Sequence, residues 1–527
     1  MKETGTYIGI DLGTSSVKIM LTDVRGRILR DAGREYSLLQ PAPGWKEIEA
    51  QTWWQAVEEA MEDLLGASPD GPGWQSEKEL RGSVRGIGVT GQMHSLVLLD
   101  EKGEPVRPVL MWNDTRTKEI IPALKARIED TPASHIAMIL STGSPAANLC
   151  WVREKEPELF ARVRHFLIGP DYIVYRLTGV MGTDYCEAST SSMYDLLRRE
   201  WSPDMLGILG IGQEICPPVR GSAETAGRLL PELAARFGLP ADCRVAVGTG
   251  DNPAASIPTG CLGSGWPVLS LGTSGVLMFP RPEPDFQARG KNILFAFHGH
   301  EGRGGSGEEG RKGPDAPGEQ KGGVYTLTQG VVQSCGSGYN WLIRQILEIE
   351  DFSGADAGID PSQPGRDHLF FYPHMTGDKT IYQDPTLRGA FLGLGTETTR
   401  TDMIRAFMEG IAYAVRELIE AMDLAPQMLR ELRVIGGGAR SRVWMQIFAN
   451  VLDTEILQLE GNAGAGCGAA MLAAFACGDI EDPQDIAART VTVRERFRPD
   501  PQAAALYRDG YRRYRRIHDA LTEIFSD

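Results

Sequence analysis

Two similar turns, far apart in the chain, contain the residue types that hold phosphate groups. Residues 11–15 (DLGTS) follow the apolar run 7–10, and residues 271–275 (LGTSG) follow the run 266–270. Glycine lets the backbone approach a ligand closely, and the Thr and Ser hydroxyls add donors to the backbone N–H groups. Each turn alone also fits an ordinary β-turn. Together, behind two apolar strands, they predict one nucleotide held between two similar halves of the chain.

Only the first of these turns contains a carboxylate, Asp11, which stands at the end of its strand. A carboxylate beside a phosphate group is useful mainly with a divalent cation between them. The first turn is therefore the predicted metal-binding side of the nucleotide site.

A second acidic residue, Asp251, follows the predicted strand 244–247 within the sequence GTGDN of residues 248–252. A carboxylate at a glycine-flanked strand end can face an open cleft and act as a general base towards a hydroxyl group. The structural alternative is that Asp251 caps a helix beginning with the small residues 253–256. The motif alone leaves both interpretations open.

Two further strand ends contain residues suited to a ligand. Gln92, Met93 and His94 follow Gly91 and offer polar groups beside an apolar contact, although a lone histidine is often structural. Glycines 436–438 follow the predicted strand 432–435 and allow a flat or phosphorylated group to approach the backbone. Ser441 occupies the position where a dinucleotide fingerprint needs a third glycine.

Composition limits the function classes. The 527 residues are too many for one core, so two large domains or three smaller ones are expected. The net charge of −16, from 54 basic and 70 acidic residues, argues against nucleic-acid and membrane-surface partners. Eight cysteines occur without a CxxC pair, and residues 1–30 lack the pattern of a signal peptide. These features predict a cytoplasmic enzyme with reduced thiols.

Hydrophobic periodicity predicts an α/β protein built from two related halves. In the first half, strands are predicted at 7–10, 17–23, 27–32 and 86–90 and a helix at 49–65; in the second, strands at 268–271, 276–279 and 293–297 and a helix at 337–347. Residues 299–323 are rich in glycine and charge and predict a disordered surface insert. Residues 507–525 predict a helix whose many arginines form a solvated face.

The order of these motifs resembles that of the FGGY carbohydrate kinases, from about residue 7 to about residue 478. The resemblance is carried by residues 91–94 (GQMH), 110–114 (LMWND), 195–196 (DL) before 201–202 (WS), 250–252 (GDN) and the signature 389–409. Within the family the sequence is most similar to the xylulokinases. Residues 143–151 depart from the family pattern, because Asn148 stands where the family usually has lysine.

The resemblance implies two ribonuclease H-like domains of the actin and hexokinase type around a central nucleotide cleft. Residues 1–257 are expected to bind the sugar and supply the catalytic base, and residues 258–527 to bind the nucleotide. ATP and Mg²⁺ are the implied cofactors, and a homodimer is one expected assembly.

The resemblance also implies roles for matching positions. Asp251 is the implied catalytic base and Asp11 the residue that positions Mg²⁺, often through water. The implied nucleotide contacts are Thr14, Ser15, Gly272 and Thr273 at the phosphates, and Gly336, Asn340, Gly437, Gly438 and Arg442 around the adenosine. The implied sugar contacts are Gln92, Met93, His94, Asp251 and Asn252.

The implied reaction is ATP-dependent phosphorylation of a primary hydroxyl of a small open-chain sugar, with D-xylulose favoured. An alternative within the same fold is another ketose, polyol or sugar acid, such as L-ribulose, L-xylulose, gluconate or erythritol. A third interpretation is an ATP-gated conformational protein or a sugar sensor that phosphorylates no acceptor. The presence of both Asp11 and Asp251, with the sugar-side motif 91–94, argues against this third class.

Overall fold

A computed structural model describes residues 5–66, 74–263, 265–298, 323–350, 354–364, 369–460 and 464–525. The strands are β1 (Thr6–Leu12), β2 (Ser16–Asp23), β3 (Ile28–Glu35), β4 (Glu47–Ile48), β5 (Val84–Gly91), β6 (Leu96–Leu99), β7 (Val109–Leu110), β8 (His165–Ile168), β9 (Thr183–Asp184), β10 (Tyr194–Asp195), β11 (Glu200–Trp201), β12 (Val219–Arg220), β13 (Thr225–Arg228), β14 (Arg244–Ala246), β15 (Thr249–Gly250), β16 (Val268–Leu271), β17 (Gly275–Arg281), β18 (Lys291–Ala296), β19 (Val324–Val332), β20 (Phe370–Tyr372), β21 (Ala390–Leu392), β22 (Glu431–Ile435), β23 (Glu455–Leu459) and β24 (Val493–Phe497).

The helices lie between these strands and after the last one. They are α1 (Ala50–Leu65), α2 (Trp74–Gly82), α3 (Ile121–Glu129), α4 (Pro145–Lys155), α5 (Pro157–Phe160), α6 (Gly169–Thr178), α7 (Tyr185–Thr190), α8 (Pro203–Leu209), α9 (Pro231–Phe237), α10 (Asp251–Ser256), α11 (Gly336–Trp341), α12 (Arg400–Ala421), α13 (Arg442–Leu452), α14 (Ala465–Ala476), α15 (Pro483–Thr490) and α16 (Pro501–Phe525).

The first large sheet has the strand order β13-β14-β5-β1-β2-β3, with β15 paired to β5. β1 is antiparallel to β2 and parallel to β5, and β5 is in turn parallel to β14. Strand β1 lies in the interior of the sheet, and its apolar side chains, such as Ile8 and Ile10, are fully buried. Helix α1 covers one face with Trp53, Val57 and Met61, the helical spacing expected from the sequence.

The second large sheet has the order β18-β19-β17-β16-β22-β23-β24. Its inner five strands, β19-β17-β16-β22-β23, repeat the arrangement of β3-β2-β1-β5-β14: an antiparallel meander joined through its first strand to two parallel strands. The prediction of two related α/β halves is therefore confirmed. Because parallel strands end at the same edge, each sheet presents its strand ends on one side.

Helix α14 belongs to the second half in sequence but packs against the first sheet. A Cβ atom built on Gly9 of β1 would lie 1.8 Å from the carbonyl oxygen of Gly466, and one on Gly88 of β5 would lie 1.9 Å from that of Ala469. The helix backbone thus contacts the sheet backbone directly. A Cβ atom on Gly468 would lie 1.9 Å from the carbonyl oxygen of Ala254, so α14 also contacts α10.

The structure differs from several bounds expected from sequence. The helix expected at 337–347 is divided into α11 and a single π-helical turn, Leu342–Ile346. Helix α16 begins at Pro501 rather than residue 507, because Asp500 accepts the backbone N–H groups of Gln502 and Ala503 at 2.8 and 3.1 Å. Residues 299–322 of the predicted insert lie outside the described residues.

The arginine-rich face of α16 is solvated, as expected. Its arginines 508, 512, 513, 515 and 516 are exposed. Among the residues that the structure describes, no helix combines the length and apolar character needed to cross a membrane.

We predict that Gly9→Ala destabilises the protein, because the added methyl group meets the Gly466 backbone, which cannot rotate away. Overpacking of this kind typically costs about 1–3 kcal/mol, and each kcal/mol corresponds to about 2–4 °C of melting temperature in a domain of this size. The melting temperature, measured calorimetrically, should fall by about 2–12 °C. The matched control is Gly464→Ala, where an added Cβ has no neighbour within 4 Å; an equal fall in both variants would contradict the packing argument.

Candidate active site

The two acidic residues predicted from sequence meet at one edge of the first sheet. Asp11 of β1 is the register partner of Thr90 on β5, and Thr90 is in turn the partner of Thr249 on β15. Asp251 follows β15 directly as the first residue of α10. Strands β1, β5 and β15 are parallel neighbours, so the end of β1 and the turn after β15 lie at the same edge of the sheet. The two carboxylates are therefore placed at the same strand ends.

Burial and mutual repulsion change the protonation of both acids. Desolvation raises the pKa of Asp11 to about 6, against a small opposing effect of Lys18. Desolvation and then the charge of Asp11 raise the pKa of Asp251 to about 7, while Lys291 and the Asn252 N–H oppose the shift. A carboxyl group with a pKa near 7 is suited to accept a proton at neutral pH.

Asp251 is not a helix cap. The N-terminal cap position of α10 is Gly250, which makes no side-chain hydrogen bond. The Asp251 carboxylate accepts the N–H of the neighbouring residue Asn252, at 2.7 Å. The structural alternative considered from sequence thus lacks the hydrogen bond that would define it.

The first phosphate-type turn is supported by two aromatic residues. Tyr36 donates its hydroxyl to the Gly13 carbonyl at 2.5 Å, and the Trp112 indole N–H donates to Thr14 Oγ1 at 2.9 Å. Because the Thr14 hydroxyl accepts this bond, its own proton remains available to a ligand oxygen. Ser15 is exposed in the same turn.

Trp112 is a site residue to which sequence reasoning assigned no role. It is 44 % exposed beside Thr14, which is unusual for a large aromatic side chain. The sequence feature that could have identified Trp112 is its place in the motif of residues 110–114. That motif alone does not show that the Trp112 indole contacts a turn 98 residues away.

The second phosphate-type turn is connected to α11. The Gly336 N–H donates to the Gly272 carbonyl at 2.9 Å, and the Ser337 N–H donates to the Thr273 carbonyl at 3.0 Å. A Cβ atom on Gly336 would lie 2.4 Å from the Gly272 oxygen, so glycine is required there. The structure thus brings Gly272, Thr273 and Gly336 together, with the Thr273 side chain exposed.

The glycines after β22 serve different purposes. Gly436 has a φ of +95°, and a Cβ there would lie 2.6 Å from the Leu271 carbonyl oxygen, so it packs against the end of β16. Gly437 faces open space, with no atom within 4 Å of a built Cβ, whereas Gly438 packs against Leu271 and Trp444. Of the three glycines, Gly437 leaves the most space for a flat group.

Two other predicted nucleotide contacts, Asn340 and Arg442, lie on helices and make no described hydrogen bond to the two phosphate-type turns. Asn340 is exposed on α11, and Arg442 is the exposed first residue of α13. The Arg442 guanidinium pairs with Glu495 of β24. Ser441, the residue at the expected third-glycine position, caps α13 by accepting the Trp444 N–H at 3.0 Å.

The predicted sugar contacts lie around Asp251. Met93 packs so closely on Gly250 that a Cβ there would lie 2.5 Å from Met93 Cγ. Gln92 is 4 % exposed, and neither its amide nitrogen nor its amide oxygen has a hydrogen-bond partner among the described residues. Asn252 Nδ2 donates to Gln329 Oε1 at 3.2 Å, and His94 Nε2 lies 2.8 Å from Lys291 Nζ.

Sequence reasoning missed both Gln329 and Lys291, because no local motif marks them. They come from the second half of the chain, 77 and 197 residues from their partners. Asn148, the departure from the family pattern, is fully buried on α4 and donates to the Gly143 carbonyl at 3.3 Å.

The acidic side chains fit a divalent cation that also binds phosphate. No group of three or more His, Cys, Asp and Glu residues that could hold a metal occurs in the part of the chain that the structure describes. The Asp11 carboxylate has a raised pKa because it is desolvated, and a bound cation would offset that cost. Mg²⁺ is commonly bound by one or two carboxylates together with substrate phosphates, which agrees with this arrangement.

Comparison with known proteins gives the family. Residues 6–258 match the model of the N-terminal domain of the FGGY family of carbohydrate kinases, and residues 268–477 match its C-terminal domain. The chain belongs to the FGGY family of carbohydrate kinases. The implied two-domain kinase fold is thereby confirmed.

Several named kinases are similar to this FGGY chain over nearly its whole length. A xylulose kinase of Bacillus subtilis is 32 % identical over 517 residues, which are 98 % of this chain and 97 % of the relative. A xylulose kinase of Escherichia coli is 28 % identical over 531 residues, 99 % of this chain and all of the relative. The crystal structure of a "xyloylose kinase" from Brucella ovis superposes with a TM-score of 0.84 at 30 % identity, covering 98 % of this chain and 100 % of that one.

We predict that Asp251→Asn raises the melting temperature more at pH 8 than at pH 5. The folded wild type keeps Asp251 protonated up to about pH 7, whereas the unfolded chain ionises it near the ordinary value of 3.8. Stability is therefore lost as the pH rises through the folded pKa, and an uncharged amide removes that loss.

The measurement is the melting temperature of wild type and variant across this pH range. Asp31→Asn, a change at an exposed carboxylate of β3, is the control and should show no such trend. A pH-independent difference between Asp251→Asn and wild type would contradict the raised pKa.

Proposed function

We propose that this carbohydrate kinase transfers the γ-phosphoryl group of ATP to a primary hydroxyl of D-xylulose, forming D-xylulose 5-phosphate. The observation that carries the proposal is the Asp251 carboxyl, with a pKa near 7, at the strand ends beside Asp11. Two relatives named xylulose kinase, similar to this chain over nearly its whole length, support the choice of sugar.

In the proposed reaction Asp251 accepts the proton of the sugar's primary hydroxyl while the oxygen of that hydroxyl attacks the γ-phosphorus of ATP. Phosphoryl transfer has a loose transition state, so catalysis depends on in-line positioning and charge stabilisation. The turns at the strand ends of the two sheets would hold the nucleotide between them. Closure of the halves around it would exclude water, which otherwise competes with the sugar as acceptor.

The nucleotide contacts divide between the two halves. Thr14 and Ser15 on one side and Gly272 and Thr273 on the other are suited to the phosphates, because each turn offers backbone N–H groups and a hydroxyl. Gly336, Asn340, Gly437, Gly438 and Arg442 are the proposed surroundings of the adenosine. For Arg442 this role requires that its guanidinium leave Glu495.

Asp11 is the residue that would position Mg²⁺, directly or through water. When bound, Mg²⁺ neutralises charge that develops on the β- and γ-phosphates. Occupancy would also lower the pKa of Asp11, since a cation favours the ionised carboxylate.

The alternative acceptors are another ketose, a polyol or a sugar acid. The fold alone does not separate them, because a gluconate kinase from Lactobacillus acidophilus superposes with a TM-score of 0.80 at 24 % identity. The identity to xylulose kinases favours D-xylulose. A cytoplasmic location is part of the same proposal, because all eight cysteines are free thiols.

We predict that Asp251→Ala lowers kcat with D-xylulose by about 10²–10⁴-fold, the usual contribution of a positioned general base, while ADP binding is nearly unchanged. The measurement is ADP release from Mg-ATP with a panel of ketoses, polyols and sugar acids, and calorimetry for ADP. Asp31→Asn is the control. A loss of only a few-fold would refute the base assignment, and ATP turnover that no sugar stimulates would favour an acceptor-free ATPase.

We predict that Asp11→Asn raises the Mg²⁺ concentration for half-maximal rate by about 10- to 100-fold, the typical effect of removing a group that orients a metal or its bound water. The measurement is initial rate against free Mg²⁺ at saturating ATP and sugar, with Asp31→Asn again unchanged. The same Mg²⁺ dependence in wild type and Asp11→Asn would remove Asp11 from the metal site.

A further inference from the structure

Two residues of the second sheet reach the sugar side of the active site. Lys291 on β18 and Gln329 on β19 are register partners in an antiparallel pair, so their side chains lie on the same face. Lys291 Nζ lies 2.8 Å from His94 Nε2, and Gln329 Oε1 accepts the Asn252 amide at 3.2 Å. The strand pair β18–β19 therefore forms a wall against the expected sugar contacts of the first half.

The contact between Lys291 and His94 determines which atoms of each can meet a ligand. An ammonium group can only donate, so Nε2 of His94 accepts and the ring proton resides on Nδ1. In agreement, burial and the Lys291 charge hold the pKa of His94 well below its ordinary value, although the Thr190 backbone opposes the shift. The backbone of Thr190 is hydrogen-bonded to the His94 ring, whose Nδ1 is buried. The donors left for a ligand are therefore those of Lys291.

The ammonium of Lys291 has acidic neighbours. Burial lowers the pKa of Lys291, whereas Cys186, Glu187 and Asp251 oppose the shift. Glu187 on α7 is fully buried, and burial together with the charges of Asp171 and Asp184 raises its pKa well above the ordinary value. In its ammonium form Lys291 has two N–H donors beyond the one used by His94.

Neither Lys291 nor His94 has a lone pair left for a ligand. Together they form a surface that only donates hydrogen bonds, beside the carboxyl group of Asp251. A carbonyl oxygen, which only accepts, matches such a surface. A hydroxyl group at the same carbon carries a proton that neither Lys291 nor His94 can accept. A site built to hydrogen-bond a carbonyl oxygen therefore discriminates against a hydroxyl group in its place.

We propose that Lys291, oriented by His94, is a specificity-determining residue that recognises the carbonyl oxygen of a ketose acceptor and so selects 2-ketoses over the corresponding polyols. The proposal deepens the kinase function proposed above and rests on it. Lys291 thereby gives the second sheet a direct part in choosing the sugar, in addition to its expected part in binding the nucleotide.

The test compares two acceptors that differ only at the relevant carbon. D-xylulose has a ketone where xylitol has a hydroxyl group. The variant Lys291→Met has a side chain of similar length without an N–H donor. Its kcat/KM for D-xylulose should fall by about 10- to 100-fold, the contribution of a charged hydrogen bond. The inhibition constant of xylitol should change by less than about threefold.

Two further variants separate recognition from folding. Lys291→Gln keeps an N–H donor and should recover part of the kcat/KM lost in Lys291→Met. Lys102→Met makes the same change at an exposed lysine and should leave both acceptors unaffected. The melting temperature and ADP affinity of each variant show that the fold and the nucleotide site are intact.

The outcomes distinguish this inference from the proposed function. Equal weakening of D-xylulose and xylitol in Lys291→Met, or no weakening of either, would overturn the role of Lys291 while leaving the kinase function in place. A wild-type enzyme that phosphorylates no ketose would overturn both. Selective loss of D-xylulose, with partial recovery in Lys291→Gln, would establish carbonyl recognition.

Discussion

The active site depends on one contact between backbones, that of α14 with the first sheet. Gly9, Gly88 and Gly468 leave no side chain between this helix and β1, β5 and α10. Asp11 is the penultimate residue of β1 and Asp251 is the first residue of α10, so the same helix fixes both carboxylates. Contacts between backbones have no rotamers through which to relax, and close-packed interiors transmit rather than absorb displacement. The separation of the two acids is therefore set by main-chain packing.

Burial at these strand ends has opposite effects on acids and bases. Desolvation raises the pKa values of Asp11 and Asp251 and lowers those of His94 and Lys291. Both changes bring the groups towards their neutral forms in the free protein. A cation bound at Asp11 would act in the opposite direction, because it favours the ionised carboxylate.

Much of the fold could be predicted because its signals are local. Apolar runs that end in glycine identified the strands behind Asp11, Gln92, Asp251 and Gly436, and the rule that parallel strands end at one edge brings them together. The start of α16 had a local signal as well, an aspartate followed by proline at residues 500–501, that periodicity alone did not use. Motif order supplied the family.

The pairs that complete the site could not be predicted in this way. The contacts of Trp112 with Thr14 and of Lys291 with His94 join segments far apart in the chain, through side chains that no periodicity distinguishes. Lys291 is also the first residue of β18, two positions before the strand expected from sequence. Such residues become visible only when the register of β18 and β19 is known.

The contribution of α14 also has a consequence for biosynthesis. The ribosome completes the strands of the first sheet long before it reaches residues 465–476, an interval of about 10–40 s at typical elongation rates. Until then the glycine-lined face of β1 and β5 has no partner. The nascent N-terminal half therefore leaves the ribosome with an uncovered apolar surface, and its two acids reach their final separation only after residues 465–476 have been made.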